Sequence, residues 1–133
     1  MILKSITEVD SWKEHQDSWS CYDGFKIETD EQEIYLLISN EQSCCESWGY
    51  LSSSDDFSQY IGKKIVKFEK TDTALKTERF DPLEWLDCGG VVFITFTFED
   101  GGVLQFAAYN AHNGYYGHMV IFRSKELSFD ESV

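Results

Sequence analysis

The sequence predicts an α+β domain built on a largely antiparallel sheet of about six strands, with an N-terminal helix and a short second helix. Three observations carry that expectation. Runs of strand-forming residues with period-two alternation recur along the chain, as in Phe25–Thr29 (FKIET) and Val91–Phe98 (VVFITFTF). Compact turn signals separate such runs, the strongest being Asp100-Gly101-Gly102, because Asp-Gly and Gly-Gly supply the positive φ of tight hairpin turns. Two other stretches open on helix-capping residues and continue with apolar residues at helical spacing. The 133 residues, 42% hydrophobic and 26% charged, suit one globular domain over 1–133, and ten Phe, seven Tyr and four Trp furnish a core.

Element by element, Thr7–Asp17 reads as an amphipathic helix. Thr7 is its cap, Asp10 stands where a capping box places Glu, and Val9, Trp12 and Gln16 form a narrow apolar face. Phe25–Thr29 and Glu33–Ser39 (EIYLLIS), joined by Asp30-Glu31-Gln32, make an antiparallel hairpin. Ser43–Tyr50 (SCCESWGY) falls at a strand end and the loop after it. Ser54-Asp55-Asp56 then offers a cap with acids in the first turn, so Phe57, Tyr60 and Ile61 form a short helical turn that Gly62 ends. Lys64–Glu69 is a strand, Lys70–Cys88 an irregular excursion containing the lone proline, Pro82, and Gly89-Gly90 opens the strand Val91–Phe98. Val103–Tyr109 pairs back on it. After the loop Asn110–Gly114, Tyr115–Arg123 is the last strand, so the motif-bearing sheet spans 25–123 and 124–133 is a partly frayed acidic tail.

Charge and cysteine content narrow the function classes. The net charge is −13, and residues 1–62 hold 13 acids against Lys4, Lys13 and Lys26. A surface that binds nucleic acid needs dense Lys and Arg, so direct nucleic-acid binding is not expected. No apolar run reaches the roughly 20 residues of a membrane span, and the start lacks a secretory pattern, which makes a cytoplasmic protein the expectation. Reduced thiols are then the default for Cys21, Cys44, Cys45 and Cys88. Cys44, Cys45, His112 and His118 give a nominal Cys2His2 set, but adjacent cysteines do not match zinc-ligand spacing, so neither metal nor cofactor is expected.

Two segments concentrate polar and aromatic groups where strands leave the sheet: Ser43–Tyr50 and Asn110–His118 (NAHNGYYGH). Trp48, Tyr50, Tyr115 and Tyr116 suit stacking on a planar ligand, Glu46, Asn110, His112 and Asn113 suit its polar edges, and a bound phosphate would call on Lys63, Lys64, Arg123 or an imidazolium at His118. The bland alternative is a hairpin turn at Asn-Gly and tyrosines entering a strand. A nucleophilic cysteine would need Cys44 or Cys45 to meet a histidine across two loops, and no phosphate loop, zinc-protease or serine-elbow motif is present, so catalysis is not expected.

Cys44-Cys45-Glu46, then Ile61-Gly62-Lys63, then His112-Asn113-Gly114-Tyr115-Tyr116, in that order, resemble an uncharacterised domain family of phages, prophages and bacteria. The resemblance covers about residues 25–123. Trp48-Gly49 and Gly117-His118 depart from its usual residues, and it brings no catalytic residues with it. The resemblance implies provenance, a phage or prophage protein in the host cytoplasm if phage-encoded; taken together with the aromatic, glycine and amide content of the two motif segments, it leads to the expectation of a small accessory protein that sequesters a nucleotide-derived ligand such as a host-defence signal. The alternative expectation is an acidic, nucleic-acid-mimicking inhibitor of a basic host nuclease or defence protein, resembling anti-CRISPR inhibitors, through clusters such as Asp30, Glu31 and Glu33. A homodimer or higher homo-oligomer, formed through an exposed final strand, is expected as well. On either reading, if the strand order is right, both motif loops leave one end of the sheet.

Overall fold

The computed structural model describes residues 1–14, 20–40, 48–54, 56–71, 90–110 and 118–133. These residues form nine strands: β1 (Leu3–Trp12), β2 (Tyr22–Thr29), β3 (Glu33–Ser39), β4 (Trp48–Ser52), β5 (Ile65–Thr71), β6 (Gly90–Phe98), β7 (Val103–Asn110), β8 (Met119–Arg123) and β9 (Ser128–Ser132). They make a five-stranded sheet in the order β1-β2-β3-β8-β9 and a four-stranded sheet in the order β4-β7-β6-β5, antiparallel throughout. The architecture is all-β, which corrects the α+β expectation, since neither expected helix exists among the described residues.

The first helix is lost to β1. Ile6, Thr7 and Val9 are β-branched and prefer strand, and the edge of β2 offers them a partner from Leu3↔Thr29 to Trp12↔Tyr22. Two irregularities, at Leu3/Ser5 and Val9/Trp12, shift the phase of the alternation, so the apolar residues fall at a spacing that mimics a helix. At the second, Ser11 takes a φ of 52° and its N–H donates to Asp23 Oδ1 at 2.9 Å. Residues 15–17 of the expected helix lie outside the described residues.

The second helix is replaced by successive turns. The N–H groups of Tyr60 and Lys63 donate to Phe57 and Tyr60 carbonyls at 2.9 and 3.1 Å, while the Gly62 N–H turns away to Leu3 O at 2.8 Å. The capping residues serve the turn instead, Asp56 Oδ1 accepting the Ser58 N–H at 3.0 Å. Two strands replace what were read as loop and tail. WGYLS becomes β4 because β7 pairs it residue by residue from Trp48↔Asn110 to Ser52↔Phe106, and 128–132 becomes β9 along β8.

The core lies between the sheets. Phe25, Ile27, Leu36, Ile38, Val120 and Phe122 face Val92, Ile94, Phe96, Phe106 and Ala108, all buried. One flank is closed by β9 and β5: Phe129 stacks on Phe122 at 5.5 Å and Lys70 pairs with Glu131 at 2.8 Å. On the outer face of the second sheet Phe93 and Ala107 are buried with Leu51 and Val91 against them, and beside this apolar patch Thr95 and Gln105 are polar yet buried. Thr71 and Thr95 hydroxyls lie 2.9 Å apart, and the Gln105 amide donates to Thr95 at 3.1 Å. That network satisfies the buried Thr95 and Gln105 side chains, while Thr97 on the same face of β6 stays partly exposed.

The ends of the strands are sorted. The turns of 30–32, 99–102 and 124–127 lie at one pole, together with the crossing from β4 to β5. At the other pole stand Trp12, Ser39, Trp48, Thr71, Asn110 and His118, so the chain leaves and re-enters there on either side of 15–19, 41–47, 72–89 and 111–117.

Candidate ligand site at one pole and the cleft beside it

Trp48 opens β4 and Asn110 closes β7, and the two are register partners. The start of the first motif strand and the end of the second therefore coincide. His118, just before β8, brings the other sheet to the same place: its imidazole stacks on the Trp48 indole at 5.3 Å between centroids and 29° between planes. The His118 Nδ1 lies 2.7 Å from the Ser39 carbonyl oxygen. A carbonyl only accepts, so Nδ1 carries the proton and the ring plane is fixed by the end of β3. The Ser39 hydroxyl is 3.2 Å from the same nitrogen and accepts the Met119 N–H at 3.2 Å.

Asn110 is 2% exposed and donates through Nδ2 to the Val133 carbonyl at 3.2 Å. The His118 and Val133 backbones exchange two hydrogen bonds, at 3.0 and 2.8 Å. Buried Asn110 and His118, also 2% exposed, thus tie the two sheets and the end of β9 together, and half-buried Trp48 sits over them.

Tyr50 follows Trp48 on the same face of β4 and turns into a second feature, a cleft of about 310 Å³ between the edge strands β1 and β4. Ile6 and Glu8 form one wall, Tyr50 and Ser52 the other, with Phe25 and Phe57 beneath. The Tyr50 ring meets Phe25 edge-on at 5.1 Å and 80°. Burial pushes its hydroxyl up to about 12, and the carboxylates of Glu8, Asp10 and Asp23 add to the rise. The lining contains no Lys or Arg, and none of those three acids forms an ion pair among the described residues. Several acids elsewhere are matched: Lys26 lies 3.4 Å from Glu33, and Arg123 reaches Glu14 at 3.0 Å and Asp130 at 2.6 Å.

Of the residues singled out in the sequence, the structure brings Trp48, Asn110 and His118 together and places Tyr50 next to them in the cleft. Glu46, His112, Asn113, Tyr115 and Tyr116 lie outside the described residues, as do Cys44, Cys45 and Cys88. Cys21 is a free, partly exposed thiol. Sequence reasoning missed Glu8, Asp10, Asp23, Phe25 and Phe57. For the first two the signal was present, since Ile6, Glu8 and Asp10 alternate along one face once the segment is read as strand. Among the described residues no group of three His, Cys, Asp or Glu is placed to hold a metal ion, and no helix is long and apolar enough to cross a membrane.

No curated protein and no solved structure matches the chain. A family model does match, over residues 1–122, which run into β8 and include Trp48, Asn110, His118 and the cleft residues but neither β9 nor Val133. The chain therefore belongs to the family described as Domain of unknown function (DUF7448).

Proposed function

We propose that this chain is a non-enzymatic binding protein, of the phage or prophage accessory kind, that sequesters a small planar, nucleotide-derived ligand at the pole built on Trp48. The observation that carries the reading is the stack of His118 on Trp48 above the Asn110 tie. An indole whose plane is fixed in advance binds a flat ring without first being ordered, and stacking of a base on an aromatic side chain is worth about 1–3 kcal/mol. His118 and Asn110 are buried, so they position Trp48. The ligand's polar edges fall to groups in the two motif segments.

The test is native mass spectrometry and calorimetry against nucleosides and mono-, di- and cyclic nucleotides. At least one is expected to bind with micromolar affinity, and Trp48→Ala to weaken it by about fivefold or more, equivalent to 1 kcal/mol. A panel with no binder at high micromolar concentration overturns the reading. The acidic-mimic alternative draws less support. In its cluster Glu33 is matched by Lys26, and the Asp30 carboxylate accepts the Ile2 N–H at 2.7 Å.

A further inference from the structure

We propose that the cleft between β1 and β4 is a binding site for an organic cation bearing a guanidinium group, separate from the planar-ligand pole. Three independent features converge on that chemistry. The first is size: about 310 Å³ lies at the lower limit of small-molecule sites, enough for a head group and too little for a whole nucleotide. The second is the wall. Phe25 meets both Tyr50 and Phe57 edge to face, with Phe25 and Phe57 centroids 6.4 Å apart at 89°, and aromatic walls hold a cation through their negative faces.

The third feature is charge. Glu8 stands in the wall, and Asp10 and Asp23 are close enough to act on the Tyr50 hydroxyl, with no cation among the lining residues to answer them. The Ser52 and Ser54 hydroxyls donate to the Ser54 and Asp56 carbonyls at 2.6 and 3.2 Å and the Tyr50 hydroxyl is hydrogen-bonded to Glu8, so the one formal charge in the lining is the Glu8 carboxylate. A guanidinium is preferred to an ammonium because it is planar, stacks on aromatic rings, forks onto a carboxylate and sheds its hydration more readily. The net charge of −13 concentrates cations at the surface, and the same charges turn phosphate away from the cleft.

The experiment is a 15N–1H NMR titration of the full chain with methylguanidinium, and with methylammonium at matched ionic strength. Methylguanidinium is expected to shift the amides of Ile6, Glu8, Tyr50 and Phe57 saturably at about millimolar concentration, with methylammonium about fivefold weaker. Glu8→Gln, which keeps the size of the side chain, should weaken binding about tenfold, and Asp10→Asn about two- to threefold. Agmatine and a blocked arginine amide then separate the two sources of the head group. Tighter agmatine binding assigns a free guanidino compound, and tighter amide binding assigns an arginine side chain of a partner. Absence of saturable shifts up to about 50 mM, equal binding of the two methyl cations, or Glu8→Gln binding like the parent overturns the proposal. Should Glu8→Gln not fold, Asp10→Asn alone decides: unchanged affinity overturns it. Nucleotide binding at Trp48 does not enter any of these outcomes.

Discussion

Gly24 offers the most direct test of the packing that holds the cleft open. It pairs with Val9 on one side and Leu37 on the other, in the middle of the first sheet. A Cβ placed there would stand 2.2 Å from the Leu36 carbonyl oxygen and 2.9 Å from Leu37 Cα, both backbone atoms of β3. Relief requires β2 and β3 to separate by about an ångström, and β3 carries the buried Leu36 and Ile38. Overpacking costs about 1–3 kcal/mol where side chains adjust, and more where backbone has to move, so Gly24→Ala should cost at least about 3 kcal/mol.

The control is Gly101, which has a φ of +87° and nothing within 4 Å of an added Cβ. Gly101→Ala carries only the left-handed backbone penalty of about 1–2 kcal/mol. At roughly 3–5 °C per kcal/mol for a chain of this size, Gly24→Ala should melt about 9–15 °C below the parent in calorimetry or circular dichroism. Because Asp23 and Phe25 flank it, the same variant should also weaken methylguanidinium binding, whereas Gly101→Ala should not. If Gly24→Ala melts within about 3 °C of the parent, or above Gly101→Ala, the register of β2 on β3 is wrong.

Two further outcomes are expected. Tyr50 titrates at about 12 in the folded chain against an ordinary 10.0, so its neutral form contributes stability that is whole below pH 10.0 and is lost as pH rises toward 12; urea midpoints measured across that window should fall more steeply for the parent than for Tyr50→Phe. Phe129→Ala, removing a half-buried ring stacked on Phe122, should cost about 2 kcal/mol, and Lys70→Ala, breaking an exposed pair with Glu131, under about 1 kcal/mol; equal losses would mean that β9 is held by charge and not by its ring.

What could be read from the sequence is what local chemistry decides. Strands β3, β6 and β7 carry dense β-branched and aromatic runs bounded by Asp-Glu-Gln or Asp-Gly-Gly, so their ends fell within a residue or so of expectation. Strands β1, β4 and β9 are decided by their neighbours. In β4, WGYLS includes a glycine, and the Tyr109 hydroxyl would stand 2.9 Å from a Cβ at Gly49, so the space that suits glycine is set by β7. In β9, SFDES offers one ring, and its place depends on Phe122 across the hairpin and on Lys70, 59 residues earlier in sequence. The site divides in the same way. Trp48, Asn110 and His118 were legible because they bound segments rich in aromatics and amides. Glu8 and Asp10 were hidden by the helical reading of β1, and Phe25 looked like ordinary core.

The two poles of the sandwich differ in what their sequences must do. At the pole of 30–32, 99–102 and 124–127, each turn closes on itself: Thr29 Oγ1 accepts the Gln32 N–H at 2.9 Å, the Gly102 N–H donates to Asp100 Oδ1 at 2.9 Å, and Ser124 Oγ accepts the Leu127 N–H at 2.9 Å. Residues there serve chain reversal. At the opposite pole the strand ends are joined by side chains, within the first sheet through His118 to Ser39 and across the sheets through Asn110 to Val133 and His118 to Trp48. Such ties hold the strand ends in place through buried side chains, where the first pole relies on turns that close on themselves. One partner in those ties, Val133, and the strand leading to it lie beyond the residues 1–122 that define the family match. In this chain the family's residues are thus held from outside the matched region. β9 fills the free edge of β8, and the residue after it, Val133, receives both Asn110 and His118.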